Sequence, residues 1–146
     1  MDKSESAALV QQIYGIFNTH DLSKLDALMH PQYEDYSSGV PIPTPFNLEA
    51  LKGMLGMYFT AFPDAHWEVV DILVEGVADG DRAAWRERFT GTQQGEFMGM
   101  PPTGRKVDVN GLSMGEIRDG KAYRHWSVYD NLSMMQQLGV ISMPGA

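Results

Sequence analysis

Apolar residues recur at helical spacing between Ser6 and Asn18, where Leu9, Ile13, Ile16 and Phe17 share one face. The pattern predicts an amphipathic helix over 6–18, and Gly15 inside it costs only about 1 kcal/mol relative to alanine. Asp21 can cap a short second helix with Leu22, Leu25, Leu28 and Met29 on one stripe. That helix must end before Pro31, because the residue preceding a proline resists helical backbone angles. From Pro31 to Phe46 the chain holds Pro41, Pro43, Pro45 and Gly39 as well, which predicts a long surface loop of the kind that covers pockets. Asn47 then caps a third helix, with Leu48, Leu51, Leu55, Tyr58, Phe59 and Phe62 facing inward and Pro63-Asp64 stopping it.

Beyond Ala65 the period changes from helical to two. Trp67 to Val77 is rich in β-branched and aromatic residues, and Asp79-Gly80 supplies the turn to a returning strand over Arg82 to Thr92. Gln94 to Arg105, with Gly95, Gly99, Pro101-Pro102 and Gly104, reads as a connection. A second hairpin follows, Lys106 to Arg118 and Lys121 to Asp130, around Asp119-Gly120, and Leu132 to Leu138 predicts a short closing helix. Three helices followed by a four-stranded antiparallel meander describe a single α+β domain over 1–146, with the helices covering one face of a curved sheet.

Alternation assigns the faces. Trp85, Glu87 and Phe89 point one way and Ala84, Arg86 and Arg88 the other, so Glu87 is carried inward between two aromatics. There it pairs with a base, sits at the sheet rim or, with its acidity weakened by burial, serves as an acid or base near neutral pH. On the next strand Gly111, Ser113 and Gly115 share the inner face, which leaves either room for a cavity or a bend in the sheet. The opposite face, with Leu112 and Met114, is apolar enough for a covered or dimer-forming surface. On the last strand Tyr123, His125, Ser127 and Tyr129 form a polar and aromatic row. His125 is the proton-transfer candidate, since its ordinary pKa lies near 6.5. Asp130 either orients it or caps the residues that follow.

Composition narrows the chemistry. There is no cysteine, so disulfides, thiolate catalysis and Cys-ligated metals drop out. His20, His30 and His66 are dispersed without ligand spacing, and no phosphate-binding glycine loop or G-x-S-x-G elbow occurs, so neither metal nor nucleotide cofactor is expected. A net charge of −8, from 19 acids against 11 bases, argues against a nucleic-acid partner. The densest bases, Arg82, Arg86 and Arg88, read as a solvated face. No stretch reaches the roughly 18 to 20 apolar residues of a membrane span, and the start of the chain lacks signal-peptide character, so no membrane partner and a cytoplasmic location are expected.

Several segments together resemble the SnoaL-like polyketide cyclases, also called predicted ester cyclases. They are Gly91-Thr92, the run from Gly95 to Arg105, Arg118-Asp119-Gly120-Lys121, His125-Trp126 with Asp130, and Gln136-Gln137-Leu138-Gly139; Phe17-Asn18, His20-Asp21 and Phe62-Pro63-Asp64 fit the same pattern. The likeness implies the NTF2-like fold, a cone-shaped α+β barrel with a deep apolar pocket, commonly oligomeric through its sheet as a dimer or tetramer. It also implies ring closure by intramolecular aldol condensation without metal or cofactor, using an aspartate as acid/base with a histidine nearby. Matched along the chain, that aspartate falls at Ser127 and that histidine at Ser113. A serine hydroxyl cannot abstract an α-proton at neutral pH without a strong base beside it, so the fold carries over and the aldol mechanism does not.

The leading expectation is a cofactor-independent cyclase or isomerase acting on a small apolar, oxygenated, polyketide-like molecule. His125 is its acid/base, Glu87 or Asp130 sets its charge, and Ser113, Ser127 and Tyr123 hydrogen-bond the substrate. Trp85, Phe89, Tyr14, Phe17, Tyr36, Met54 and Tyr58 are expected around the ligand, the methionines as an adaptable wall or as core filler. A non-catalytic binding protein of the same fold, and a dimerisation module with a filled core, are the alternatives.

Overall fold

A computed structural model describes residues 2–142. Helix α1, Lys3–Thr19, opens on a reciprocal cap in which the Asp2 carboxylate accepts from the Glu5 amide and Glu5 reaches back to the Asp2 amide. It buries Leu9, Val10, Ile13, Tyr14 and Phe17. The expected second helix shrinks to a 3₁₀ turn, Leu25–Leu28. Strand β1, Met29–Asp35, follows at once, where the prolines predict only loop. Helix α2, Leu48–Ala61, starts at Asn47, whose side chain accepts from the Ala50 amide. Strands β2, His66–Val77, β3, Gly80–Thr92, β4, Lys106–Arg118, and β5, Lys121–Tyr129, come next, and helix α3, Asn131–Gln137, closes the chain.

The sheet has five strands in the order β1-β5-β4-β3-β2. Strands β2 to β5 are the expected antiparallel meander, whereas β1 adds a fifth strand, parallel to β5. The four-strand expectation fails because proline excludes a segment from the interior of a sheet but not from its edge. Here the register of β1 shifts between Met29 and Glu34, which takes Pro31 out of the ladder.

Helices α1 and α2 pack on the face that carries Trp67, Trp85 and Phe89: Tyr14 and Phe17 of α1 meet Trp85 and Trp67, and Tyr58 of α2 meets Trp67 and Phe89. At this end the connection between β3 and β4 folds over the core. Fully buried Gln93 donates to the carbonyls of Gly95 and Pro101 and accepts from Thr103, so Phe97 is pressed against Tyr58 and Phe62. The other face of the sheet is solvated as expected, with ion pairs Arg82–Glu116, Arg86–Asp71 and Arg88–Asp108. It also exposes Leu112 and Val128, which are cross-strand partners. No helix among the described residues is long and apolar enough to cross a membrane.

Candidate active site

Two neighbouring strands build the site. In β5 the two-residue period turns His125 and Ser127 to the helix-covered face, and in β1 it does the same for Tyr33 and Asp35, with Ser37 continuing the alternation past the strand end. The parallel register sets Asp35 opposite His125. Across β4, Gly115 faces His125 and Ser113 faces Ser127, while Glu87 of β3 faces Gly111.

Asp35 is 1% exposed and is held by three donors. Tyr33 donates its hydroxyl to Oδ2 at 2.7 Å, the Ser37 amide donates to Oδ1 at 2.8 Å, and His125 Nδ1 lies 3.0 Å from Oδ2. Burial alone would favour the neutral acid, but the His125, Ser37 and Tyr33 hydrogen bonds outweigh it and hold the Asp35 carboxyl below the ordinary aspartate range. For His125 burial opposes the charged ring, while the Asp35 hydrogen bond and charge, with Glu87 adding to them, carry its pKa above the ordinary value. An ionised carboxylate only accepts, so Nδ1 keeps its proton and the tautomer is fixed. On the far side of the ring, Nε2 lies 3.2 Å from Ser113 Oγ, which in turn donates to Glu87 Oε1. Trp85 lies flat against the imidazole, with ring centroids 5.7 Å apart and 13° between planes. Ser127 donates to Ser37 Oγ at 2.7 Å.

His125, Asp35, Ser37 and Ser127 form the polar end of a cavity offering about 110 Å³ to the centre of a water-sized sphere. The remainder of the wall is apolar and aromatic, including Tyr14, Phe17, Met54, Tyr58, Trp85 and Phe89. Burial and the Glu87 charge push the Tyr14 phenol well above its ordinary pKa, and Tyr129, also on the wall, is raised by burial and by Tyr14 and Glu87. Both therefore remain protonated donors. The glycines of β4 leave room for rings as well as for the cavity, whose wall includes Gly115. A Cβ at Gly111 would stand 2.9 Å from the Tyr129 ring and one at Gly115 3.2 Å from Trp85, so they make room for those two rings.

Three expected site residues lie elsewhere. Asp130 caps α3, accepting from the Ser133 amide and hydroxyl at 3.0 and 2.6 Å, and it is Asp35 that orients His125. Tyr36 stacks on Trp126 away from the cavity. Tyr123 packs under the Arg118 and Arg124 guanidinium groups. Ser127 lines the cavity and donates its hydroxyl to Ser37 there. Glu87 and Ser113 sit one layer behind the wall, joined to it through His125. Sequence reasoning missed Tyr33, Asp35 and Ser37, whose i, i+2, i+4 spacing is the trace of a strand inside the proline-rich segment. Among the described residues no three His, Asp or Glu side chains converge in a way that could hold a metal ion.

The family model for SnoaL-like polyketide cyclases matches residues 7–138. Among solved structures the chain is similar to the hydroxylase candidate AclR from Streptomyces galilaeus, at 30% identity and a TM-score of 0.82 over 99% of this chain and 87% of that one. It is also similar to IdmH, a polyketide cyclase candidate from Streptomyces antibioticus, at 35% identity and a TM-score of 0.77 over 91% and 97% of the two chains. TsrD from Streptomyces laurentii shares 26% identity at a TM-score of 0.81, over 97% of this chain and 99% of that one. No curated protein matches the sequence.

Proposed function

The chain belongs to the SnoaL-like polyketide cyclase family, and on that premise we propose that it is a cofactor-independent cyclase or isomerase that moves protons on a small apolar, oxygenated, polyketide-like molecule. The observation that carries this reading is the Asp35–His125 pair at 3.0 Å on the polar end of an otherwise apolar cavity. With Nδ1 committed to Asp35, Nε2 is the atom that takes and returns a proton. A C–H bond beside a substrate carbonyl breaks, its proton passes to Nε2, and its electron pair moves onto the carbonyl oxygen as an enolate. The protonated hydroxyls on the wall, Tyr14 and Tyr129, turn from Glu87 to donate to that oxygen. The enolate carbon then attacks a second carbonyl of the same molecule, closing a ring, or regains a proton at another position, giving an isomer.

In this reading Asp35 takes the orienting role that the sequence offered to Asp130, and Glu87 contributes charge from behind the wall. The apolar wall excludes water and strengthens each of these electrostatic interactions. The reading includes a homo-oligomer formed through the outer sheet face, supported by Leu112 and Val128 at 63% and 62% exposure side by side.

The test uses 2-tetralone, a flat aromatic ketone with acidic α C–H bonds, in D2O, with deuterium incorporation followed by NMR. Catalysed exchange that falls by roughly 100-fold or more in folded His125→Ala supports the proposal. Exchange at the wild-type rate in that variant would discard it. Tight binding of the ketone without any catalysed exchange favours a ligand-holding protein instead, the reading suggested by serines at both positions where the resemblance places catalytic residues.

A further inference from the structure

Behind the cavity wall the hydrogen bonds continue past the His125–Asp35 pair. His125 Nε2, Ser113 Oγ and Glu87 Oε1 form a line of three polar atoms with one hydroxyl in the middle. Glu87 is 1% exposed, and its other oxygen, Oε2, is buried without a hydrogen-bond partner. The Tyr14 and Tyr129 hydroxyls face the same carboxyl, yet a buried carboxylate that still leaves one oxygen unpaired is unusual, whereas a carboxyl on which a proton can stand in for the missing partner is not.

Two proton fillings satisfy the line throughout. In one, the ring is charged, Nε2–H donates to Ser113 Oγ, and the Ser113 hydroxyl donates to the Glu87 carboxylate. In the other, Glu87 carries the proton and donates to Ser113 Oγ, while the Ser113 hydroxyl donates to bare Nε2. Neutral His125 beside ionised Glu87 would leave Oγ with one hydrogen between two acceptors. Charged His125 beside neutral Glu87 would crowd it with donors. The satisfied fillings interconvert when the Nε2 proton bonds to Ser113 Oγ as that hydroxyl's own proton bonds to Glu87 Oε1, so one N–H and one O–H break and two O–H bonds form, with no change in composition.

We propose that His125 and Glu87 hold a single proton between them, exchanged through the Ser113 hydroxyl, so that Glu87 is the proton reservoir of the site and Ser113 its conduit. The inference rests on the proton-transfer reading of the same site and adds two positioning residues that do not touch substrate. It explains how the ring can act as a base even though Asp35 favours its charged form: the proton has a second place to be. Groups facing the line come from every element around it, namely Asp35 and Tyr33 from β1, Tyr14 from α1 and Tyr129 from β5. The tyrosines stay neutral and Asp35 stays ionised, so the shared proton belongs to His125 and Glu87 alone. A Ser113–His125–Asp35 arrangement also has the outline of a nucleophilic triad, but Ser113 is buried behind the wall and does not line the cavity in which a substrate would have to meet a nucleophile.

The test is an NMR titration of protein labelled with 15N in histidine and 13C in glutamate, which requires no substrate. In wild-type protein the His125 ring nitrogens and the Glu87 carboxyl carbon are expected to shift together, at one midpoint and with fractional amplitude each. Ser113→Ala is expected to give His125 and Glu87 separate midpoints, and Ser113→Thr, which keeps the hydroxyl, to restore the joint transition. Glu87→Gln should leave His125 titrating alone, at full amplitude and at lower pH. Wild-type His125 titrating alone at full amplitude while Glu87 stays ionised overturns the proposal. So does covalent labelling of Ser113 by a fluorophosphonate, which would make it a nucleophile. Joint titration without 2-tetralone exchange would keep the shared proton and remove the catalytic reading; exchange without joint titration would do the reverse.

Discussion

The inner face of one sheet supports two different kinds of interior. Toward β2 and the connection closed by Gln93, the space is filled by rings: Tyr58, Phe62, Trp67, Phe89 and Phe97 meet edge to face, tilted or stacked at 4.9 to 6.4 Å. Toward β1 and β5 it is filled by hydroxyls, carboxylates and one imidazole, nearly all paired with one another. The aromatic half draws its stability from area and shape, which tolerate no voids. The polar half gains little net stability from each hydrogen bond, because equivalent bonds to water are lost on folding, yet it is costly to leave half-made. Stability is therefore concentrated at one end of the cavity and chemistry at the other.

Substitutions should separate the two halves. Phe62→Ala removes a fully buried ring and is expected to lower unfolding free energy by about 3–5 kcal/mol in urea titrations, with exchange activity per folded molecule little changed. His125→Ala should do the opposite, losing roughly 100-fold in 2-tetralone exchange while the urea midpoint moves much less. Equal losses of stability from both would erase the contrast. Gly111→Ala tests the seam between the halves: its Cβ would press on the Tyr129 ring, and a destabilisation of about 1–3 kcal/mol is expected.

The Asp35–His125 pair makes a pH-dependent contribution of its own. Asp35 is lowered on folding, so its share is present above the unfolded carboxyl pKa of about 3.9 and is lost as pH falls through the lower folded value. His125 is raised, so its share is complete below about pH 6.5 and is lost as pH rises through the higher folded value. Stability from the pair is therefore greatest between those limits. Asp35→Asn is expected to flatten the fall in urea midpoint between about pH 5.5 and pH 8.5; an unchanged slope would show that the pair does not titrate with folding. The smallest effect on monomer stability, within about 0.5 kcal/mol, is expected for Leu112→Arg on the exposed face. Light scattering should nevertheless find it monomeric if the outer sheet face joins copies of the chain.

The difference between the halves also governs what the sequence reveals. Aromatic and aliphatic residues at strict spacing announce α1, α2 and the meander, because burial of each element demands that spacing. Their faces were legible to the residue: Trp85, Glu87 and Phe89 lie inward as alternation requires. The polar half was legible only in part. His125, Ser113 and Glu87 stand on strands with clear alternation, but their partner Asp35 stands on β1, which is short, interrupted by proline and held by a parallel pairing that leaves no turn signal. Asp130, adjacent to the strand end, was the nearer carboxylate in sequence and the wrong one in space. The family resemblance could not supply Asp35 either, since the positions it highlights are the serines.

The same edge strand has a consequence in time. Hairpins β2–β3 and β4–β5 join residues close in the chain, whereas Asp35 and His125 are 90 residues apart. Closing so long a loop costs entropy that only a largely formed sheet can offset, which places β1 docking late in folding. An edge strand with a broken register against β5 and an isolated Asp35–Phe46 bridge on its other side, it is also weakly tied into the ladder. In native-state hydrogen exchange the β1 amides should open well below the global unfolding free energy, while those of β3 and β4 open only with it. The chemistry of the pocket would then be the last thing the chain acquires as it folds and the first it gives up on warming.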